Sequence, residues 1–155
     1  MCMSPMRKRA AKRPQFVTKK DVGLNTALAL IQAASEEAAR LGLAISAAVV
    51  DSGGQIVASL RMDGAQLCAM PLAIDKAYTA VACGLPTAAW AERTQPGKRD
   101  WGLSTALGGR FIAFGGGIPL FVSSELVGGL GVSGAAASDD VSVATAAVAR
   151  VGLVG

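Results

Sequence analysis

A single lysine interrupts an apolar segment in the middle of the chain. Lys76 lies among Leu72, Ile74, Tyr78 and Val81. A lysine in such a setting can bind a carboxylate, or it can act as a base if burial lowers its pKa. The sequence also allows an ordinary lysine on the protein surface, where most lysines lie.

Two other charged residues could take part in chemistry with this lysine. Asp51 ends one apolar stretch and Arg61 ends the next. Because a carboxylate can relay a proton, we predict that Lys76, Asp51 and Arg61 form a catalytic group. The chain has no histidine, which excludes a Ser–His–Asp triad, and nothing in the spacing favours a serine–lysine pair.

A run of three glycines, Gly115-Gly116-Gly117, could cradle an anion with its backbone N–H groups. It is not a P-loop, because no Gly-Lys-Ser/Thr follows it. It is not a dinucleotide-binding fingerprint either, since that motif needs a parallel βαβ unit. A tight turn remains an alternative explanation for these glycines.

The elements that must position these residues can be predicted from apolar periodicity and turn signals. Residues 43–51 and 55–62 are predicted strands, because their β-branched residues suit a sheet and Gly53-Gly54 suits a hairpin turn. The lysine belongs to a predicted helix that begins near Ala69 or Met70 and ends at Gly84. An earlier helix is predicted to start at a capping box, Thr18 to Asp21, and to end at Gly42.

The second half of the chain is predicted to supply three more strands. They span residues 110–114, 118–122 and 126–132, after a short helix at 88–93 and a helical turn at 101–107. A last helix, capped by Ser138 or Asp139, runs to about Gly152. Short connections favour antiparallel pairing, so we predict an α+β fold with a five-stranded antiparallel sheet and helices on its faces.

The charge is divided between a basic start and a mildly acidic remainder. Of the 15 lysines and arginines, seven lie in the first twenty residues, which hold no acid. The eight that remain face 11 acidic residues. We therefore predict a disordered basic tail at residues 1–17 and one domain at residues 18–155, with nucleic-acid binding confined to the tail if it occurs at all.

Composition also bears on location, metals and assembly. Three cysteines without metal-ligand spacing favour free thiols in the cytoplasm, and we predict no metal site. The longest run without a charge, residues 77–91, is shorter than the roughly 20 residues of a membrane helix. The surplus of apolar residues therefore predicts a subunit interface rather than a membrane span.

Two ordered motifs resemble the GlcG/HbpS-like family, which also supplies the C-terminal domain of PduO-type corrinoid adenosyltransferases. The first is VVDSGGQIVASLRMDGA followed by AIDKAYTA, and the second is GGGIPLF followed by ELVGGLGVSG and Asp139-Asp140. The resemblance covers roughly residues 20–154. The chain differs from the family pattern in having Phe114-Gly115 before the last two glycines, Ser123-Ser124-Glu125 as a hairpin, and no histidine.

The resemblance implies a profilin-like layered fold and a homo-oligomer, from tetramer to octamer. It also implies a ligand pocket with Gly116, Gly117, Ile118 and Pro119 on one rim and the helix of Lys76 on the other. Tyr78 and Trp101 are predicted as further contacts, since an aromatic ring can form a flat wall for a planar ligand. For Trp101, packing under a loop is the alternative.

The predicted function is a small-molecule-binding protein associated with a catabolic pathway. The ligand could be haem-like, corrinoid or a small carboxylate. Haem is described for some members of the family, but in this chain its ligand would have to be Tyr78, Cys68, Cys83, a methionine or a threonine. The alternative is a cofactor-independent isomerase, lyase or hydrolase that acts on a small carbonyl or carboxylate compound through Lys76.

Overall fold

The computed structural model describes residues 15–155. The elements in chain order are helix α1, strands β1 and β2, helix α2, strands β3 and β4, and helix α3. Their bounds are Leu24–Arg40, Ser46–Asp51, Ile56–Arg61, Ala69–Cys83, Gly117–Val122, Glu125–Ser133 and Ala137–Val151. Short 3-10 turns at Thr87–Trp90, Leu103–Thr105 and Leu107–Gly109 occupy the segment between α2 and β3. The predicted start and end of the lysine-bearing helix are confirmed.

The four strands form one antiparallel sheet in the order β2-β1-β4-β3. The central pair aligns Ser46 with Ser133 and Asp51 with Gly128. In the first hairpin, one carboxylate oxygen of Asp51 accepts the amides of Gly53 and Gln55. The α+β class and the antiparallel sheet are therefore as predicted.

Helices cover both faces of the sheet. Helices α1 and α3 pack with Ala47, Val49, Leu120, Leu130 and other apolar side chains into the larger core. Helix α2 lies on the opposite face, where Val50 meets Ala77 and Val81.

The glycines of β4 allow α2 to approach the sheet closely. A Cβ placed on Gly129 would lie 2.6 Å from the carbonyl oxygen of Ala77, and one on Gly131 would collide with the carbonyl of Ala73. Real Cβ atoms do not occupy such positions, so these glycines are required by helix-on-sheet packing.

The prediction of a fifth strand at residues 110–114 is wrong. The polar backbone groups of this segment bond to a side chain of α2 instead of to a neighbouring strand. The Thr79 hydroxyl donates to the carbonyl of Arg110 at 3.1 Å and accepts the amide of Ile112 at 3.0 Å. A threonine on a helix thus satisfies the hydrogen bonds that a sheet would otherwise provide.

Two predicted helix starts are also wrong. Helix α1 begins at Leu24 after Gly23, so Thr18 does not cap it. The amide of Val22 bonds to Val127, and the Asp21 carboxylate accepts the amide of Ser52, which keeps this segment against β4 and the first hairpin. Helix α3 follows Ala136 without a side-chain cap. The predicted disorder of the basic tail lies outside the described residues for positions 1–14.

Candidate functional site

Lys76 projects from α2 into the protein interior and is 0% exposed. Its Nζ donates to Asp140 Oδ2 at 2.7 Å and to the carbonyl of Val132 at 2.9 Å. The ammonium also lies 5.0 Å from the centroid of the Phe114 ring, which is within cation–π range. This placement excludes an ordinary surface lysine.

Burial opposes the charge on both members of this pair. Desolvation lowers the pKa of Lys76, although the hydrogen bond and negative charge of Asp140 act against that shift. Desolvation likewise raises the pKa of Asp140, against the hydrogen bond and positive charge of Lys76. The pair is therefore held together by its mutual contact in a setting that favours the neutral form of each partner.

The triple glycine packs directly against the lysine. A Cβ on Gly116 would lie 2.8 Å from Lys76 Nζ, and the φ of Gly116 is +120°, where side chains are disfavoured. The amide of Gly117 donates to the Thr87 hydroxyl at 2.9 Å, so it is not available to a ligand. The structure thus brings Lys76, Gly116 and Gly117 together.

A small chamber of about 130 Å³ lies beside the ion pair. Asp140 lines it, whereas Lys76 lies behind Asp140 and does not. The other lining residues come from the start of α2 and the turn before it, the end of β4, the segment before α3, and Phe114 just before the glycine segment; among them are Gln66, Cys68, Leu72, Ser133 and Ala135. We call this space the Asp140 chamber.

A larger cavity borders Gly117, the last residue of the glycine segment. It measures about 420 Å³, and α3, the start of β3 and the last residues of the chain enclose it. Its walls are apolar except for Thr145; the principal ones are Gly117, Ile118, Val141, Val148, Ala149 and Leu153. We call it the apolar groove. Gly117 and Ile118 are thus the two predicted rim residues that line it.

The three residues predicted to form a catalytic group lie apart from one another. Asp51 ends β1 opposite Gly128, and its carboxylate holds the hairpin turn. Arg61 is exposed at the other end of the sheet, paired with Ser46. Neither lines the Asp140 chamber. Lys76 alone of the three lies at the ion pair.

The two predicted aromatic contacts also lie apart from Lys76. Tyr78 is half-buried between Gly54 and the guanidinium of Arg110, which stacks 3.7 Å from the ring centroid and pairs with Asp75. Trp101 is 68% exposed in the segment between α2 and β3. Pro119 lies within β3, one residue beyond the part of that strand that lines the groove.

The possible haem ligands are similarly scattered. Cys68 lines the Asp140 chamber, and burial raises the pKa of the Cys83 thiol. Thr145 is the threonine that lines the apolar groove. Within residues 15–155, no group of three cysteine, aspartate or glutamate residues is arranged to hold a metal ion. In the same part of the chain, no helix combines the length and apolar character needed to cross a membrane.

Sequence reasoning missed the carboxylate that partners the lysine. Asp140 lies in the first turn of α3, where a carboxylate complements the helix dipole, so its position gives no sign of a second role. The available signal was the lysine itself, since a cation inside an apolar helix needs a buried anion. Thr145 and the α3 wall of the groove were missed because nothing in their spacing distinguishes them from an ordinary helix face.

The fold and site together define an α+β domain with a buried lysine–aspartate pair beside a glycine segment. A family model described as "Haem degrading protein HbpS-like" matches residues 22–149. The chain therefore belongs to the HbpS-like family, and the resemblance seen in the motifs is confirmed.

Relatives of known sequence agree with this assignment. The chain is 37% identical over 122 residues to the corrinoid adenosyltransferase PduO of Salmonella typhimurium. That match covers 79% of this chain but only 36% of PduO, so the chain spans about a third of that relative. It is also 33% identical over 116 residues to the protein GlcG of Escherichia coli, covering 75% of this chain and 84% of GlcG.

Solved structures show the same fold. A PduOC–haem complex superposes with a TM-score of 0.83 at 34% identity, covering 86% of this chain and 97% of the other. HbpS superposes with a TM-score of 0.81 at 32% identity, covering 93% and 99%. The protein ORFY of Klebsiella pneumoniae gives 0.84 at 28% identity, covering 93% and 97%.

Proposed function

We propose that this protein binds a flat, largely apolar small molecule of the haem-like or corrinoid class in the apolar groove. The observation that carries the proposal is the groove itself: about 420 Å³, apolar but for Thr145, and floored by Gly117 and Ile118. Cavities of this size and character are typical of small-molecule sites. The haem complex of the 34% identical PduOC supports a tetrapyrrole as the ligand.

The groove fits the ring of a tetrapyrrole better than its metal. Its apolar walls would remove the ring from water, and each 100 Å² of apolar surface buried contributes about 2.5 kcal/mol. It offers no imidazole, thiol or thioether as an axial ligand, only the Thr145 hydroxyl. Binding would therefore depend on ring burial, with Thr145 as a weak oxygen ligand, and any redox chemistry would belong to the bound metal.

A second copy of the chain would complete this site. Val154, which lines the groove, is 69% exposed, and large apolar side chains are exposed elsewhere; they include Leu85, Trp101, Leu107 and Phe114. Exposed apolar groups of this kind are typical of subunit interfaces. We therefore propose a homo-oligomer, from tetramer to octamer, as the binding form.

Titration with hemin tests the proposal. Ala149 is exposed and lines the groove, so Ala149→Trp should fill it without disturbing the core. Wild type should show a saturable shift of the Soret band, and Ala149→Trp should weaken binding at least about tenfold. Ala39→Trp places the same side chain on an exposed position of α1 and should bind as wild type does. Equal binding by all three proteins would rule out the groove.

The ion pair supports a second candidate, a cofactor-independent isomerase, lyase or hydrolase acting on a small carbonyl or carboxylate compound. The specific observation is that Asp140, whose pKa is raised by burial, lines the Asp140 chamber. Lys76 does not line the chamber, but it donates a hydrogen bond to the Asp140 carboxylate. A carboxyl group with a raised pKa is suited to general acid–base catalysis. In this second candidate function, Lys76 is a positioning residue, and Asp140 contacts the substrate.

Neighbouring aspartates offer a matched test of this second candidate. Asp140→Asn preserves the shape of the side chain and removes its charge, so turnover should fall by a factor of about 10² or more. Asp139→Asn changes the half-buried neighbour, which does not line the chamber, and should leave turnover nearly unchanged. Circular dichroism checks that both variants fold, and the pH–rate profile of wild type should report one essential group with a raised pKa. Unchanged turnover in Asp140→Asn would exclude this role.

A further inference from the structure

The Lys76–Asp140 pair joins two helices that lie on opposite faces of the sheet. Lys76 belongs to α2, and Asp140 lies in the first turn of α3. Their side chains meet at 2.7 Å beside the glycine segment, Gly115–Gly117, which leads into β3. The pair therefore fixes the start of α3 relative to α2.

The same pair holds the glycine segment in place. A Cβ on Gly116 would lie 2.8 Å from Lys76 Nζ and 3.0 Å from the Cβ of Asp140, so no larger residue fits between them. The carbonyl of Gly116 accepts the amide of Val132 at 2.8 Å, and the carbonyl of Val132 accepts from Lys76. The ammonium group thus bonds both to the β4 residue that holds Gly116 and to the carboxylate of α3.

Two walls of the apolar groove pack against this segment. Val141 follows Asp140 directly and lines the groove, and its side chain occupies the place where a Cβ on Gly115 would lie. Ala88, in another wall, lies 3.6 Å from that Cβ position. Gly117 belongs to the floor of the groove. A shift of the start of α3 would therefore change the distance between the α3 wall and the floor.

A buried ion pair is suited to hold such a distance. Apolar side chains can slide past one another at small cost, whereas a buried charge that moves away from its partner is left without compensation. Lys76 is 0% exposed and Asp140 is 2% exposed, so water does not replace either partner. A pair of this kind can define one arrangement of its elements even where it adds little stability.

We propose that the Lys76–Asp140 pair sets the width of the apolar groove, and that this width selects a flat, rigid tetrapyrrole over a flexible one of similar size. Both residues act by positioning, since neither lines the groove. The inference rests on the proposed tetrapyrrole site and adds the feature that determines which ligand shape the site accepts.

Protoporphyrin IX and biliverdin test this selectivity without a metal. Both contain four pyrrole rings, but the macrocycle of biliverdin is open and can twist. In fluorescence titrations, wild type should bind protoporphyrin IX at least about tenfold more tightly than biliverdin. Lys76→Met with Asp140→Asn should bind protoporphyrin IX at least about tenfold more weakly than wild type, while its affinity for biliverdin changes less than about threefold. Partial unfolding would instead weaken both ligands alike.

Two further variants separate geometry from charge and serve as a control. Asp140→Glu keeps both charges but adds a methylene between α3 and Lys76, so it should also lower the ratio of the two affinities. Arg40→Met with Glu37→Gln removes a partly exposed ion pair of α1, which does not line the groove, and should keep the wild-type ratio. Circular dichroism and urea denaturation check that each variant folds.

Hydrogen exchange tests the positioning without any ligand. The amide of Gly117 bonds to Thr87, and the amide of Val132 bonds to the glycine segment, so both report whether the segment is held. In the Lys76→Met, Asp140→Asn variant both should exchange at least about tenfold faster than in wild type. The amide of Val22, which bonds to Val127, is the control and should change less.

The outcomes separate this inference from the proposed function. A lower affinity ratio together with faster exchange supports the positioning role. If wild type binds protoporphyrin IX and Ala149→Trp blocks it, but the double variant and Asp140→Glu keep the wild-type ratio, the inference is overturned and the tetrapyrrole site remains. If wild type binds neither tetrapyrrole, the proposed function and the selectivity are both wrong. Unchanged exchange at Gly117 and Val132 would overturn the positioning role whatever the ligand.

Discussion

Lys76 shows how a charge can be placed inside an apolar helix. Asp140 and the carbonyl of Val132 take two of its three hydrogen-bond donors, and the Phe114 ring lies close by. A buried pair of this kind adds little stability in itself, but the loss of one partner leaves a buried, unpaired charge. The partners therefore depend on each other.

This dependence predicts a large effect of a single substitution and a smaller effect of a double one. Lys76→Met should lower the free energy of unfolding by about 3–5 kcal/mol, because Asp140 is then buried without a cation. Lys76→Met with Asp140→Asn should recover a substantial part of that loss. Urea denaturation of the two variants measures the difference. A double variant less stable than the single one would contradict this interpretation of the pair.

The pH dependence of the single variant follows from the direction of the Asp140 shift. Burial raises the pKa of Asp140, and removing Lys76 also removes the hydrogen bond and charge that lower it. The folded protein then binds more protons than the unfolded chain above the ordinary aspartate pKa of 3.8. Stability of Lys76→Met should be highest below that pH and fall as the pH rises through the raised value. The double variant should lack this slope when denaturation is repeated across pH.

At this scale the sequence identified the lysine but not its partner. An isolated cation among Leu72, Ile74 and Val81 was conspicuous, whereas Asp140 lies 64 residues away in a helix start that already accounts for a carboxylate. Residue types at a single position carry no information about which distant element packs there. For that reason the sequence does not reveal that Asp51 and Arg61 lie at opposite ends of the sheet and away from the ion pair.

At the scale of elements, the glycines of β4 set the distance between α2 and the sheet. Gly129→Ala should lower stability by about 1–3 kcal/mol, because the new methyl group would lie 2.6 Å from the carbonyl oxygen of Ala77. Gly23→Ala is the matched control, since no atom lies within 4 Å of its Cβ position and its φ of −78° suits alanine. Thermal denaturation of both variants tests this role. Equal melting temperatures would show that α2 is not held against β4 as described.

Elements with strong local signals were predicted from the sequence, and those that depend on tertiary contacts were not. The helix of Lys76 begins at Ala69 and has Gly84 as its left-handed cap, as expected. The strand expected at 110–114 does not form, because Thr79 takes its hydrogen bonds. A residue in another element thus overrode a segment that has suitable strand composition.

At the scale of the whole molecule, exposed apolar residues predict self-association. Sedimentation velocity of wild type should give a particle of four to eight chains. Trp101→Glu puts a charge at a position whose side chain is 68% exposed and should shift the distribution towards monomer, because a charge opposes burial in a subunit interface. Ala39→Glu, on the exposed face of α1, is the control. A monomeric wild type would contradict the proposed assembly.

The family, the α+β class and the antiparallel sheet were accessible from the sequence because two long motifs and clear turn signals define them. The two cavities were not, because each is enclosed by segments far apart in the chain, such as Gly117 with Val148 or Ser133 with Gln66. The cytoplasmic location and the role of the basic tail stay predictions.

The most direct test of the account is a crystal structure of the protein grown with hemin. The proposed function predicts a porphyrin ring over Gly117 and Ile118, packed against Val141 and Val148 of α3, with the Lys76–Asp140 contact intact behind the glycine segment. A ring bound anywhere else on the chain, with the apolar groove left empty, would contradict the central claim.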